Sequence, residues 1–178
     1  MESAVIQNMI DNIINNKLSG NSMMMGSWFN LSDVYMKVVV SGNTITNTVS
    51  SGGEGVNINV QRYPFIFTNN IVSGLRRGLS INRSNNYQGS RFQTIEELTM
   101  VIGNNSITGN VGVEQWEKEQ RGLVVTDSSK GMLVVTNNVV SGGSGVGIRL
   151  QNDTESVAAL VSNNTIQKNQ GVGLRVSG

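Results

Sequence analysis

One motif recurs through the chain in a constant register: a short apolar run closing on an Asn-centred turn. It reads VVVSGNTI at 38–45, FIFTNNIV at 65–72, MVIGNNSI at 100–107, LVVTNNVV at 133–140 and ALVSNNTI at 159–166. Later in each unit a second strand-like run follows a glycine, as GVNINV, GLSINR, GLVVTD, GVGIRL and GVGLRV. Self-similarity on this scale marks a stacked repeat fold, in which no unit buries its own apolar face and each leans on its neighbours. Aligned on Asn43, Asn70, Asn105, Asn138 and Asn164, the units are 27, 35, 33 and 26 residues apart. The shorter separations suit one coil of two or three short strands, each hydrogen-bonded to its equivalent ~4.8 Å away in the next coil. The chain is therefore expected to be all-β, a single parallel β-solenoid domain over 1–178 of about five to six coils, with the longer separations marking insertions.

Strand alternation assigns the interior, because successive side chains face opposite ways. Val38, Phe65, Met100, Leu133 and Ala159 form one inward column, and Val40, Phe67, Ile102, Val135 and Val161 the next. Beyond the turn, Ile45, Val72, Ile107, Val140 and Ile166 form a third. In the second run the expected columns are Val56, Leu79, Leu123, Val146 and Val172, then Ile58, Ile81, Val125, Ile148 and Leu174. The repeated Asn suits the bend between strands, since Asn enters the left-handed backbone region at low cost and its amide can bond to equivalents above and below. With inward columns on either side, the row Asn43, Asn70, Asn105, Asn138 and Asn164 reads as an internal structural ladder, not a ligand-binding row.

Composition narrows the function. Lys+Arg at 13 against Asp+Glu at 12 leaves no electrostatic footprint for nucleic acid or an anionic membrane surface. No apolar stretch approaches the ~18 residues that span a bilayer, so membrane insertion is not expected. The absence of cysteine removes disulfides and thiolate metal sites, and the absence of histidine removes imidazole ligands and the commonest general base near neutral pH. No metal site, cofactor or catalytic residue is assigned. Charged residues are only 14% of the chain, so Asn, Ser, Thr and Gly supply the polar surface, a balance that leans toward a bacterial extracellular or cell-surface location. The opening MESAVIQNMID lacks a signal peptide's basic region and cleavage site, so for an exported protein the signal is removed or lies outside this sequence.

The run from Asn163-Asn164-Thr165-Ile166 through Asn169, Gly171, Gly173 and Val176 resembles the "NNxIxxNxGxGIxV" pattern of the right-handed parallel β-helix repeats of the pectate-lyase-like superfamily, and Asn137 to Leu150 resembles it next best. The resemblance covers residues 38–178 and implies a right-handed coil; its motif specifies the coil and not a chemistry. It also implies a comparison with enzymes that cleave or epimerise acidic polysaccharides. A lyase would need an Arg or Lys base and carboxylates to hold calcium. Asp127, Arg149, Asp153 and Arg175 are the strand-adjacent charges available for this, and a hydrolase's facing carboxylates are missing. The expectation is a non-enzyme.

What breaks the repeat offers further candidates. Residues 1–37 read as a degenerate coil or a capping segment: Val5, Ile6, Met9, Ile10, Ile13 and Ile14 have helical spacing, yet Asn recurs densely and is poor inside a helix. Within it, 19–37 carries Met23-Met24-Met25, Trp28, Phe29 and Tyr35; further inserts are 83–97, with Tyr87 and Arg91, and 110–121, with Trp116. Trp28, Phe29, Tyr87, Arg91 and Trp116 combine with Arg149 and Arg175 as a polysaccharide-binding candidate, against the blander alternative that the aromatics pack their loops on the cylinder. On the outer face of the second run, Asn59, Asn82, Thr126, Arg149 and Arg175 would line up beside Asn57, Ser80, Val124, Gly147 and Gly173. The last run, GVGLRVSG, has no polar cap after it, so the expectation is either a piece of a longer solenoid or self-association through open coil ends. The expected role is a structural or adhesive segment of a bacterial surface or extracellular assembly, stacking end to end. A carbohydrate-binding or lyase-like domain, and a trimeric phage tail-fibre or spike segment, are the alternatives.

Overall fold

Short β-branched runs, divided by turns that force the chain to bend, form strands of 3 to 7 residues in the computed structural model. The structure describes residues 8–14, 17–19, 23–26, 35–46, 56–60, 64–75, 77–83, 99–110, 122–127, 131–152 and 158–178. Among these residues the strands make three 6-stranded sheets. Sheet A contains β1 (Asn8–Ile14), β4 (Tyr35–Ser41), β7 (Phe65–Thr68), β10 (Met100–Gly103), β13 (Met132–Thr136) and β16 (Ala158–Ser162). Sheet B contains β2 (Lys17–Ser19), β5 (Thr44–Thr46), β8 (Ile71–Ser73), β11 (Ser106–Thr108), β14 (Val139–Ser141) and β17 (Thr165–Gln167). Sheet C contains β3 (Met23–Gly26), β6 (Val56–Val60), β9 (Leu79–Arg83), β12 (Leu123–Asp127), β15 (Ile148–Asn152) and β18 (Leu174–Ser177). All neighbours run parallel, and every coil contributes one strand to each sheet. We number the coils one to six from the N-terminal side.

Residues 8–14 are a strand and not a helix: β1 pairs with β4 from Asn8↔Tyr35 to Ile14↔Ser41. Met23-Met24-Met25, grouped with an insert from the sequence, instead lies in β3 and pairs with Val56-Asn57-Ile58. The other two inserts also begin later than expected. Arg83 is the last residue of β9 and Asn110 is buried at a corner, so both belong to coils.

The three columns of sheets A and B match their expected register, for example Val40↔Phe67↔Ile102↔Val135↔Val161. Their members in coils two to five are buried together with Phe65 and Phe67, whose ring centroids stand 6.4 Å apart. Sheet C differs. Leu123 pairs with Ile148 and then Leu174, and Val125 with Leu150 and then Val176, so the last two coils are shifted by two residues from the expected Val146 and Val172 alignment. The cause lies at the residue entering each strand. Leu79 N–H donates to the Gly122 carbonyl at 2.9 Å, Leu123 N–H to Gly147 at 2.9 Å and Ile148 N–H to Gly173 at 2.8 Å. A Cβ on Gly122 would overlap the Gly147 carbonyl, and one on Gly147 would overlap Ile166 and the Gly173 carbonyl. The second glycine of each GVG triplet is thus the one that stands in line with Gly122.

The corner between sheets A and B divides its labour between two residues. Gly42, Asn69, Asn104, Asn137 and Asn163 take the left-handed conformation, with φ of 69°, 58°, 56°, 55° and 54°. The residue after each is the ladder Asn, buried at Asn43, Asn70, Asn105 and Asn138. One Asn was expected to serve both purposes; a side chain at the bend itself points outward, so the amide that faces the core comes from the next position.

Candidate functional site at the C-terminal coil

The Asn ladder is a chain of directed bonds. Asn43 N–H and Nδ2 both donate to Asn70 Oδ1, at 2.9 and 3.0 Å. Asn70 repeats this toward Asn105 Oδ1, Asn105 toward Asn138, and Asn138 toward Asn164. Each amide also donates backward to a carbonyl of the coil before it: Asn70 to Val40, Asn105 to Phe67, Asn138 to Ile102 and Asn164 to Val135. Hydrogen-bonded amides are what allow Asn43, Asn70, Asn105 and Asn138 to sit at 0–2% exposure against an apolar core. Every donor toward the next coil points the same way, so the ladder has a polarity. At Asn164 it stops: Oδ1 is filled from below, while the backbone N–H and second Nδ2 proton meet no acceptor among the described residues.

A shorter second ladder runs at the corner after sheet B. Asn110 Oδ1 accepts from Leu75 N–H at 3.1 Å, and Asn169 Oδ1 from Gly143 N–H at 3.0 Å. Gly143 interrupts it, and Asn110 Nδ2 is buried without a hydrogen-bond partner.

The apolar columns end as abruptly as the first ladder. Ile148 is fully buried in β15, yet Leu174, its register partner in β18, is 44% exposed. Leu150 is 4% exposed and its partner Val176 is 66% exposed. Ala159, in line with buried Leu133, is exposed as well. Among the described residues, coil six therefore leaves interior positions exposed, with strand edges around apolar side chains and the Asn164 donors.

The residues proposed from the sequence divide as follows. Asn43, Asn70, Asn105, Asn138 and Asn164 form the ladder. Trp28, Phe29, Tyr87, Arg91 and Trp116 lie outside the described residues. Arg149 and Arg175 are register partners on the outer face of sheet C, and Arg149 Nη2 donates to Gln151 Oε1 at 3.0 Å. They continue the row Asn57, Ser80 and Val124, whereas Gln151 and Ser177 continue Asn59, Asn82 and Thr126. This corrects the expected outer row, for the same two-residue reason.

Of the charges considered for a lyase, Asp127 and Arg149 stand apart. Asp127 faces inward at 1% exposure, on the opposite side of sheet C from Arg149, and Asp153 lies outside the described residues. Asp127 is held by Arg83, whose Nε donates to Oδ1 at 3.0 Å and Nη2 to Oδ2 in a two-pronged pair between adjacent coils. Arg83 was missed, although parity marks it: it follows inward Leu79 and Ile81 at the same spacing. A fully buried guanidinium requires such a partner, because an unpaired charge there is prohibitively costly. Among the described residues no group of metal-ligating side chains comes together, and no helix is long and apolar enough to cross a membrane.

A family model described as a right handed beta helix region matches residues 3–178, nearly the entire chain. No curated protein and no solved structure matches it.

Proposed function

We propose that this chain, which belongs to the right-handed β-helix family, is a rigid structural segment of a bacterial surface or extracellular assembly, with coil six as the seat for a further solenoid coil. The observation that carries this reading is the exposure of Leu174 and Val176 at positions buried one coil earlier. A solenoid is stiff because each coil is hydrogen-bonded to the next along three sheets, and it lengthens by repeating that contact. The test is to fuse a copy of residues 153–178 after Gly178. Seating of the added coil raises strand content and lifts Tm by several degrees; an unchanged Tm with added random coil would refute the seat.

One observation favours a second reading. Arg149 and Arg175 stand in register on the outer face of sheet C, a row of cationic side chains along which a carboxylate-bearing polysaccharide would lie. Binding or turnover of polygalacturonate or alginate with added calcium, lost in Arg149→Ala, would support it and displace the structural role.

A further inference from the structure

The corner after sheet B repeats one pair of residues in successive coils: Gly74-Leu75, Gly109-Asn110, Gly142-Gly143 and Lys168-Asn169. The first of each pair takes the left-handed bend, with φ of 67°, 62°, 69° and 55°. The second turns toward the interior, and Leu75, Asn110 and Gly143 are all buried there. The backbone N–H of this second residue is aimed at the side chain one coil on. Leu75 N–H donates to Asn110 Oδ1 at 3.1 Å, and Gly143 N–H to Asn169 Oδ1 at 3.0 Å. Asn110 N–H stands between them in the series and is aimed at residue 143, a glycine with no side chain to accept it. Asn110 is 1% exposed, and its Nδ2 lacks an acceptor as well. A buried amide in this position calls for a bound acceptor.

We propose that a single ordered water binds between Asn110 and Gly143 and completes the second ladder in place of a side-chain amide. The neighbouring rungs define its contacts. In the first ladder each Asn directs its N–H and its Nδ2 to one oxygen of the next coil, as Asn43 does to Asn70 Oδ1. A water oxygen at that point takes both bonds from Asn110. On the other side, Asn169 Nδ2 donates to the Val140 carbonyl of the coil before it at 3.0 Å. Ile107 is the register partner of Val140, so its carbonyl is the one an amide at residue 143 would meet, and the water donates a proton to it. Three hydrogen bonds are ordinary for a buried water.

Size and polarity both select water. The other coils fit Leu75, Asn110 or Asn169 at this corner, and sheet pairing holds neighbouring coils ~4.8 Å apart, so glycine leaves the volume of a side chain. Two N–H groups aimed at one point exclude a cation. The Ile107 carbonyl opposes an anion there, since it offers an acceptor and no proton. The solenoid thus keeps its corner bonded through a coil that lacks the Asn, with solvent as the replacement rung.

The test is a crystal structure of the 178-residue chain at a resolution that shows ordered solvent, beside a second crystal soaked in bromide. One water within about 2.7–3.2 Å of Asn110 Nδ2 is expected. No density there, in a map that shows other buried waters, would overturn the proposal. An anomalous bromide peak at the same point would overturn it in favour of an anion. Two substitutions give an independent reading in solution, and neither meets a backbone penalty, because the left-handed residue is Gly142 and not Gly143. Gly143→Leu, which copies Leu75, displaces the water and supplies no acceptor, so Tm is expected to fall by a few degrees. Gly143→Asn displaces it and supplies the acceptor, so Tm is expected to rise by a few degrees. A rise in both would overturn the water, because a dry apolar gap is filled as well by either side chain.

Discussion

Coils four and six carry the same Asn-centred motif and live in opposite environments. In coil four, Met100, Ile102, Asn105, Ile107, Leu123 and Val125 all lie between a coil below and a coil above, and none is more than 2% exposed. In coil six the residues at the same register positions, Ala159, Val161, Asn164, Ile166, Leu174 and Val176, have a neighbour on one side only. The repeat unit thus carries no finished core of its own. Burial is conferred by the next coil, and a unit's contribution to stability depends on where it stands in the stack.

Paired substitutions make that contrast measurable. Phe67→Ala opens a cavity between two coils and is expected to cost about 3–5 kcal/mol in chemical denaturation, whereas Val161→Ala in coil six should cost about 1 kcal/mol or less. Equal costs would mean that the end coil is packed as tightly as the middle. Asn105→Ala strands the N–H and Nδ2 of Asn70 and the Phe67 carbonyl inside the protein, for an expected loss of about 3 kcal/mol. The same change at Asn164 should lose about 1 kcal/mol, because water reaches the groups it leaves behind.

The glycine stack offers a third pair. Gly122→Ala forces coils four and five apart at the sheet C entry and should destabilise by about 1–3 kcal/mol. At Gly173 the nearest atom to a new Cβ is Ile166 Cγ2 at 3.7 Å, so Gly173→Ala should leave the thermal midpoint nearly unchanged. The smallest effect expected is a gain. Gly143→Asn places an amide beside the unpartnered Nδ2 of Asn110 and completes the second ladder, adding about 0.5–1 kcal/mol, visible as a rise of a few degrees in Tm. A drop would show that the corner has no room for the side chain.

Much of this was legible before any coordinates. The ladder residues and the three columns of sheets A and B follow from alternation and the spacing of the Asn turn. Sheet C was legible only in part, because a shift of two residues keeps every inward side chain inward. Val146 with Leu123 and Ile148 with Leu123 satisfy the hydrophobic pattern equally well. What distinguishes them is backbone contact at Gly147 and Gly173, which no pattern of polar and apolar letters records. Arg83 was hidden for a different reason: an arginine beside a long insert reads as a surface residue until its partner, 44 residues away, is seen to share its position in the next coil.

By itself, the sequence determined the coil: which side chains face inward, where the chain bends, and that each unit must stack on another. These are local consequences of a two-residue strand period and of the few residues that tolerate a left-handed bend. Tertiary structure alone decided the register of the last two sheet C strands, the enclosure of Arg83 with Asp127, and the difference between a buried Ile148 and an exposed Leu174. Each of those depends on what lies in the neighbouring coil, and contact between residues far apart in sequence is set by backbone approach and mutual burial, which a local pattern does not encode.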